Sequence, residues 1–205
     1  MARAKRLDNP NQIIDATLEL IEKDGLQEFS TRRLSNKLNI SATTLYNYYE
    51  NKEAILRDSL ITSIQKFSTQ QFELLKAKLK SGENPLKYFK MLPESLLNFG
   101  TNHPYLYKFM FDINNSKFLD DSKVVEQYKR GFTIVERHIV NPKDFKQLHC
   151  HVYLYEVISN TLVMRVLDTK NVIKLKEFIW YSKEAYDMLL APDEDLLKPL
   201  DLTLI

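Results

Sequence analysis

The sequence predicts an all-α protein of about nine helices, and three features of the chain support that prediction. Only 4 glycines occur among 205 residues, which disfavours a β fold with its many tight turns. Apolar residues recur at helical spacing through most of the chain. Proline, serine and asparagine stand where such helices would begin. We expect an N-terminal domain of three helices, which a long fourth helix joins to a larger helical domain.

Composition limits the classes to which the protein can belong. The hydrophobic share of 44% is sufficient for a packed core. The longest stretch without a charge, Ser95–Tyr107, is too short to span a bilayer, and the N-terminus lacks the apolar core of a signal peptide. We therefore expect a cytoplasmic protein that binds no membrane. The glycines lie too far apart to form a phosphate-binding loop, so no cofactor is expected.

Each of the first four helices has a suitable residue at or just before its start: Pro10, Ser30, Ser41 and Asn51. Their predicted ends, in the same order, are Gly25, Leu38, Tyr49 and Leu79. The remaining helices are predicted to start near Pro85, Pro104, Asp121, Pro142 and Asn171. They should end near Phe99, Ile113, Val140, Leu167 and Ala191.

Residues 30–48 have the pattern of a helix-turn-helix. Ser35 is the small residue where the two helices would touch, and Leu34 and Leu45 are apolar anchors. Asn39 falls in the turn, where asparagine tolerates the left-handed conformation. The two helices are about eight residues long and too short to be stable alone. They must therefore pack on the first and fourth helices.

The side chains of the third helix indicate which surface would be exposed. Leu45 and Tyr49 lie one helical turn apart and should face inward. The residues left on or beside the outward face are polar or aromatic and include no acid: Thr43, Thr44, Tyr46, Asn47 and Tyr48. Such a surface is typical of a helix that reads a DNA groove. The alternative is a three-helix scaffold whose outer side chains have no function.

Charge is distributed unevenly between the first helix and the helix-turn-helix. Segment 30–52 contains four basic residues and one acidic residue, whereas segment 10–24 contains four acidic residues and one lysine. A separation of this kind suits a protein with one surface that meets phosphate. An ordinary solvated surface would show the same pattern.

The segment STRRLSNKLNISATTLYNYYENKEAIL, residues 30–56, resembles the N-terminal domain of the TetR family of transcriptional regulators. Thr44–Glu53 matches the most specific stretch of that family. The resemblance covers residues 10–57, and beyond them the chain is similar to the family only in the number and length of its helices. It implies a DNA-binding domain at 1–57 and a ligand-binding and dimerisation domain at 58–205.

The resemblance also implies a set of DNA contacts: Thr31, Arg32, Ala42, Thr43, Thr44, Tyr46, Asn47, Tyr48 and Lys52. Among them, Arg32 would reach a guanine edge, and Lys52 would bind a phosphate together with the amides at the start of the fourth helix. Thr43 and Asn39 replace glycines that are usual in the family. The basic residues Arg3, Lys5 and Arg6 would either enter the minor groove or form a disordered start.

For the larger domain, the resemblance implies a homodimer through the last two long helices and a small-molecule effector. Aromatic residues could line a pocket for an apolar or aromatic effector: Phe67, Phe89, Phe99, Tyr107, Phe111, Tyr128, Phe132 and Tyr155. An ordinary packed core is the alternative for these residues and for the apolar residues of the last two helices.

The function implied is that of a repressor, which binds a near-palindromic operator as a homodimer and is released by a ligand. A ligand-independent nucleoid-type protein, a transcriptional activator, and an enzyme or carrier are the alternatives. The sequence contains no recognisable set of catalytic side chains, so we expect that the protein is not an enzyme. His149 and His151 diverge on a helix, and Cys150 is expected to be a small core residue, so we expect no metal site.

Overall fold

The computed structural model describes residues 9–77, 80–118, 120–129, 132–168 and 173–200. Within these residues the chain forms ten α-helices, which confirms the all-α prediction. They are α1 (Asn11–Asp24), α2 (Thr31–Leu38), α3 (Ala42–Tyr46), α4 (Lys52–Lys76), α5 (Lys87–Asn102), α6 (Pro104–Met110), α7 (Ser122–Lys129), α8 (Phe132–Glu136), α9 (Phe145–Leu167) and α10 (Leu175–Leu189). None of the helices in this described part of the chain is long and apolar enough to cross a membrane.

The chain divides into two compact units. The first contains Met1–Phe67 and His103–Gln127, and the second contains Ser68–Asn102 and Tyr128–Ile205. This division follows packing, and the functional boundary at residue 57 remains a prediction.

Helix starts in the first unit follow the capping residues of the sequence. The backbone N–H of Asn11 donates to Asn9 Oδ1 at 2.9 Å, and the N–H of Ala54 donates to Asn51 Oδ1 at 2.8 Å. Both contacts satisfy amide groups that have no partner within their own helix.

The core of the first unit lies where α1 meets α2 and α6. Its fully buried apolar residues include Ile13, Ile21, Leu34, Leu45, Ile55 and Leu60. The start of α6 is fixed to the end of α1, since His103 Nδ1 lies 2.6 Å from Glu22 Oε1. Gly25 has φ +85°, and a Cβ there would lie 3.1 Å from the Tyr105 ring. Glycine at this position therefore allows both the turn and the close approach of α6.

The core of the second unit lies where α9 packs against α5 and α10. Its fully buried residues include Leu86, Phe89, Leu148, Val163 and Leu190. The segment after α10 is also held in place: Asp193 is buried and accepts from Gln147 Nε2 at 2.9 Å. Leu197 then forms an antiparallel bridge with Ile139.

Some predicted elements differ from the structure. The single helix expected over 121–140 is two described helices, α7 and α8, and the intervening Gly131 lies outside the described residues. Asn171, the expected start of the last helix, is also outside them, and α10 begins at Leu175. Cys150 is exposed, so its expected core position is wrong.

Candidate nucleic-acid interface

The turn between α2 and α3 has the geometry that a helix-turn-helix requires. Asn39 adopts φ 54° and ψ 47°, which is the left-handed conformation predicted for it. The N–H of Ile40 donates to the Ser35 carbonyl oxygen at 3.0 Å and closes the end of α2. Ser35 itself is buried, as expected for the small residue at the crossing.

The serines before α2 and α3 cap these helices as predicted. Ser30 Oγ accepts from the N–H of Arg33 at 3.3 Å, and Ser41 Oγ accepts from the N–H of Thr44 at 3.0 Å. Leu45 is fully buried and anchors α3 in the core. Cap and anchor together fix how the short helix is rotated.

The outward face of α3 differs from the prediction most clearly at Thr44. Ala42, Thr43, Tyr46 and Asn47 are exposed, as expected. Thr44 is buried, and its hydroxyl lies 2.8 Å from Ser41 Oγ. The outward position predicted for Thr44 is therefore wrong, because its side chain stabilises the start of α3 instead. A DNA contact from Thr44 stays a prediction.

Two of the predicted DNA-binding residues contact each other across the two helices. The hydroxyl of Tyr46 donates to Thr31 Oγ1 at 3.3 Å, although 46% of Tyr46 remains exposed. This contact joins the outer face of α3 to the start of α2. The two side chains therefore form one continuous surface.

The basic residues of segment 30–52 fall into two groups. Arg33 pairs with the Asp24 carboxylate and donates to the Glu28 carbonyl oxygen at 2.8 Å. Lys37 pairs with Glu19 at 2.8 Å. These two cations are thus balanced by acidic side chains of the first unit. Arg32, by contrast, is exposed on α2.

Lys52 lies at the start of α4, beside the end of the loop that precedes α2. Its ammonium donates to the Phe29 carbonyl oxygen at 3.3 Å and lies 5.5 Å from the centroid of the Phe29 ring. Phe29 is buried, so it holds the ammonium in a defined place by hydrogen bonding and a cation–π contact.

The residues that follow α3 are partly buried. Tyr48 and Tyr49 are both half-buried, although Tyr48 was expected on or beside the outward face and Tyr49 was expected to face inward. Burial raises the pKa of Tyr49 to about 12, and the Asp58 carboxylate adds to that shift by its charge and its hydrogen bond. Tyr49 therefore connects the end of α3 to α4.

The predicted effector residues are divided between the two units. In the first unit, Phe111 lies 4.7 Å from Tyr107 and 6.5 Å from Phe67, measured between ring centroids. Burial raises the pKa of the Tyr107 hydroxyl. The second unit contains the buried residues Phe89, Phe99, Phe132 and Tyr155. The side chain of Tyr128 and the basic residues Arg3, Lys5 and Arg6 lie outside the described part of the structure.

The histidines beside Cys150 have separate partners. The His149 ring lies 4.6 Å from that of Phe132, while His151 Nδ1 lies 2.6 Å from Asp193 Oδ2. Across the described ranges, no group of three His, Cys, Asp or Glu side chains is placed to hold a metal ion.

A second exposed surface lies on α9 and α10. The apolar pattern of the sequence does not distinguish its residues from those of the core. Among the described residues, eight of the eleven large hydrophobic side chains that are exposed belong to these helices: Tyr153, Leu154, Val157, Leu175, Ile179, Trp180, Tyr181 and Met188. We call this set the α9–α10 surface. Helical periodicity alone could not distinguish these residues from buried neighbours such as Val152 and Tyr186.

Comparison with known proteins identifies the N-terminal segment. The sequence model described as "Bacterial regulatory proteins, tetR family" matches residues 13–58. The tetracycline repressor protein class D of Escherichia coli is 43% identical over 56 residues, which are 27% of this chain and 25% of that repressor. The aligned segment thus spans about a quarter of the curated relative.

Solved structures resemble the chain over most of its length. A TetR transcriptional regulator from Rhodococcus sp. RHA1 matches with a TM-score of 0.61 and 15% identity, over 87% of this chain and 93% of that one. RolR in complex with resorcinol matches with a TM-score of 0.57 and 12% identity, over 91% of both chains. At such identities these matches show a shared fold. Residues 13–58 thus match the tetR family of bacterial regulatory proteins, and the chain shares its fold with these solved structures.

Proposed function

We propose that the protein is a transcriptional repressor that binds a near-palindromic DNA operator as a homodimer and is released by a small molecule. The single observation that supports this best is the helix-turn-helix itself. Asn39 is left-handed in its turn, both helices are capped by serine, and the outer face of α3 is polar and aromatic. This is the geometry with which a recognition helix enters a major groove.

The charges around that face favour DNA as the partner. The acidic residues Asp24 and Glu19 are paired with Arg33 and Lys37, and α3 contains no acidic residue. Arg32 is exposed for a contact with a base edge, most naturally guanine. Lys52 then supplies a cation for a phosphate at the start of α4, where helix amides also favour an anion.

The α9–α10 surface supports the proposal that the protein is a homodimer. Val157, Ile179 and Trp180 are 43%, 60% and 56% exposed, although apolar side chains of this size are usually buried. A contiguous exposed apolar surface marks an interaction site. A second copy presents the same surface, as a two-fold dimer requires, and a dimer can engage both halves of a near-palindromic operator.

An apolar or aromatic effector is the chemical class that the buried aromatic residues favour. Phe89 and Tyr155 in the second unit, and Tyr107 in the first, offer ring surfaces rather than charges. RolR, which shares the fold, has been solved with resorcinol, an aromatic molecule. Native mass spectrometry of the freshly purified protein would test this part: a small aromatic molecule retained on a dimer supports it.

The experiment that tests the DNA-binding function is selection of duplexes from a randomised pool by the full-length protein. We expect a near-palindromic motif whose half-sites lie about one helical turn apart, ~34–36 Å. Enrichment of no motif, with equal binding to all duplexes, would favour a nucleoid-type protein and contradict the proposal. Reporter expression, measured with the selected duplex placed before or after a promoter, then distinguishes repression from activation.

A further inference from the structure

The start of α3 exposes methyl groups. Ala42 and Thr43, the first two residues of the helix, are exposed. Thr44 and Leu45 follow them and are buried at 7% and 0% exposure. The rotation of α3 therefore directs the first two side chains outward, and we call Ala42 and Thr43 the tip of α3.

Several hydrogen-bonding groups near this tip are engaged within the domain. Ser41 Oγ accepts from the N–H of Thr44 at 3.0 Å and lies 2.8 Å from the Thr44 hydroxyl. The Tyr46 hydroxyl donates to Thr31 at 3.3 Å. What the tip offers to a base edge is the methyl groups of Ala42 and Thr43, together with the Thr43 hydroxyl.

Thymine is the base that such a tip matches. It alone displays a methyl group in the major groove, and the methyl groups of Ala and Thr recognise it by apolar contact. A recognition helix places its N-terminal residues against base edges. We infer that the Thr43 methyl, with Ala42 beside it, contacts the 5-methyl group of one thymine in each half-site. This inference rests on the proposed DNA-binding function and adds the identity of a base.

The test uses the full-length protein and the duplex that it selects from a randomised pool. Each thymine is replaced in turn by deoxyuridine, which removes the 5-methyl group and keeps the base pair. Loss of one buried methyl should weaken binding about fourfold, or about 15-fold when both half-sites are changed. We expect one thymine position in each half-site to show this loss.

Two variants of Thr43 separate the methyl group from the hydroxyl. Thr43→Ser removes the Thr43 methyl and keeps Ala42, so it should bind the thymine duplex with a clearly smaller preference over the deoxyuridine duplex than the wild type has. Thr43→Val keeps a methyl and removes the hydroxyl, so it should retain the preference for thymine. Circular dichroism checks that both variants keep the helix content of the wild type, as substitution of an exposed residue predicts.

The possible failures are distinguishable. If Thr43→Ser keeps the full wild-type preference for thymine, or if no deoxyuridine replacement weakens binding, the inference is overturned while the proposed function stands. If Thr43→Val loses the preference, the hydroxyl makes the contact and the inference is likewise overturned. If the protein selects no duplex at all, the proposed function fails, and the inference fails with it.

Discussion

Arg32 and Arg33 are neighbours in α2, yet their guanidinium groups have different surroundings. Arg33 pairs with the Asp24 carboxylate and donates to the Glu28 carbonyl oxygen, so it stabilises the end of α1 against α2. Arg32 is exposed. At the scale of single residues, this difference gives Arg33 a structural role and leaves Arg32 as the arginine that we propose for a base contact.

We predict that Arg32→Ala weakens binding to the selected duplex by about 1–3 kcal/mol and relaxes the preference at one base position. Arg33→Ala is the matched control: it should lower the free energy of unfolding by less than about 1 kcal/mol and keep the base preference. Fluorescence anisotropy with singly changed duplexes measures both. An Arg32→Ala variant with the full base preference of the wild type would show that Arg32 reads no base.

Asn39 gives a stability prediction, because its φ of 54° lies in the left-handed region. Asn39→Ala should destabilise the protein by about 1 kcal/mol, since alanine tolerates this conformation poorly. Asn39→Gly should leave the stability unchanged or raise it, because glycine adopts it freely. Urea unfolding of the two variants compares them, and equal effects of alanine and glycine would contradict a conformational cause.

Local rules were sufficient for some of these residues and insufficient for others. Asn39, Ser30 and Ser41 could be assigned from the sequence because turns and caps depend on neighbouring backbone. Thr44 could not, because the rotation of the five-residue α3 is fixed by the Ser41 cap and by the buried Leu45. In so short a helix, periodicity is too weak to separate inward from outward positions.

At the scale of elements, the same limit applies to the longer helices. The apolar pattern continues from α7 into α8, so the sequence predicted one helix where the structure has two. On α9, Val152 and Tyr155 are buried while Tyr153 and Val157 are exposed. Apolar residues ring much of this helix in the sequence, and only the packing of α9 against α5 and α10 shows which of them remain uncovered.

The packing of α9 also perturbs one carboxyl group. Burial raises the pKa of Glu156 from 4.5 to about 7. Tyr88 of α5 is also buried, and its pKa is raised by burial and by the charge of Glu156. The folded protein therefore binds more protons at this site than the unfolded chain does. As the pH rises from about 4.5 to about 7, this group makes the folded state progressively less stable.

We predict that Glu156→Gln raises the melting temperature relative to the wild type at pH 8 and that this gain shrinks towards pH 4.5. The gain in free energy is at most about 3 kcal/mol, from the difference between the two pKa values. Glu94→Gln, which removes an exposed carboxyl of α5, is the control. A gain that is the same at all pH values would contradict burial of the Glu156 carboxylate as its cause.

At the scale of the whole molecule, dimerisation should depend on the α9–α10 surface. Val157→Glu places a charge within that surface and should shift the protein towards monomers in analytical ultracentrifugation, because an unpaired buried charge is costly. Val140→Glu is the matched control, since Val140 is 52% exposed and lies outside both helices. Dissociation by both variants, or by neither, would show that the two chains meet elsewhere.

How much of the molecule the sequence predicts also depends on scale. The N-terminal domain could be assigned because its motif of local caps, turn and anchors is short and specific, and residues 13–58 match the family. The residues predicted to line an effector pocket could not be grouped, since buried rings such as Phe89 and Tyr107 look alike in a sequence whether they fill a core or line a cavity. Caps and turns depend on neighbouring residues and can be predicted from a sequence, whereas contacts between distant segments cannot.

The salt dependence of DNA binding tests the central claim, that residues 31–52 form a DNA-binding surface, most directly. The affinity of the full-length protein for its selected duplex is measured from 50 to 200 mM salt, with a scrambled duplex as control. We expect the logarithm of the affinity to fall linearly with a slope of about −0.9 per phosphate neutralised. Lys52→Ala should reduce that slope by about 1 per subunit. A salt-independent affinity, equal for the selected and scrambled duplexes, would contradict the account.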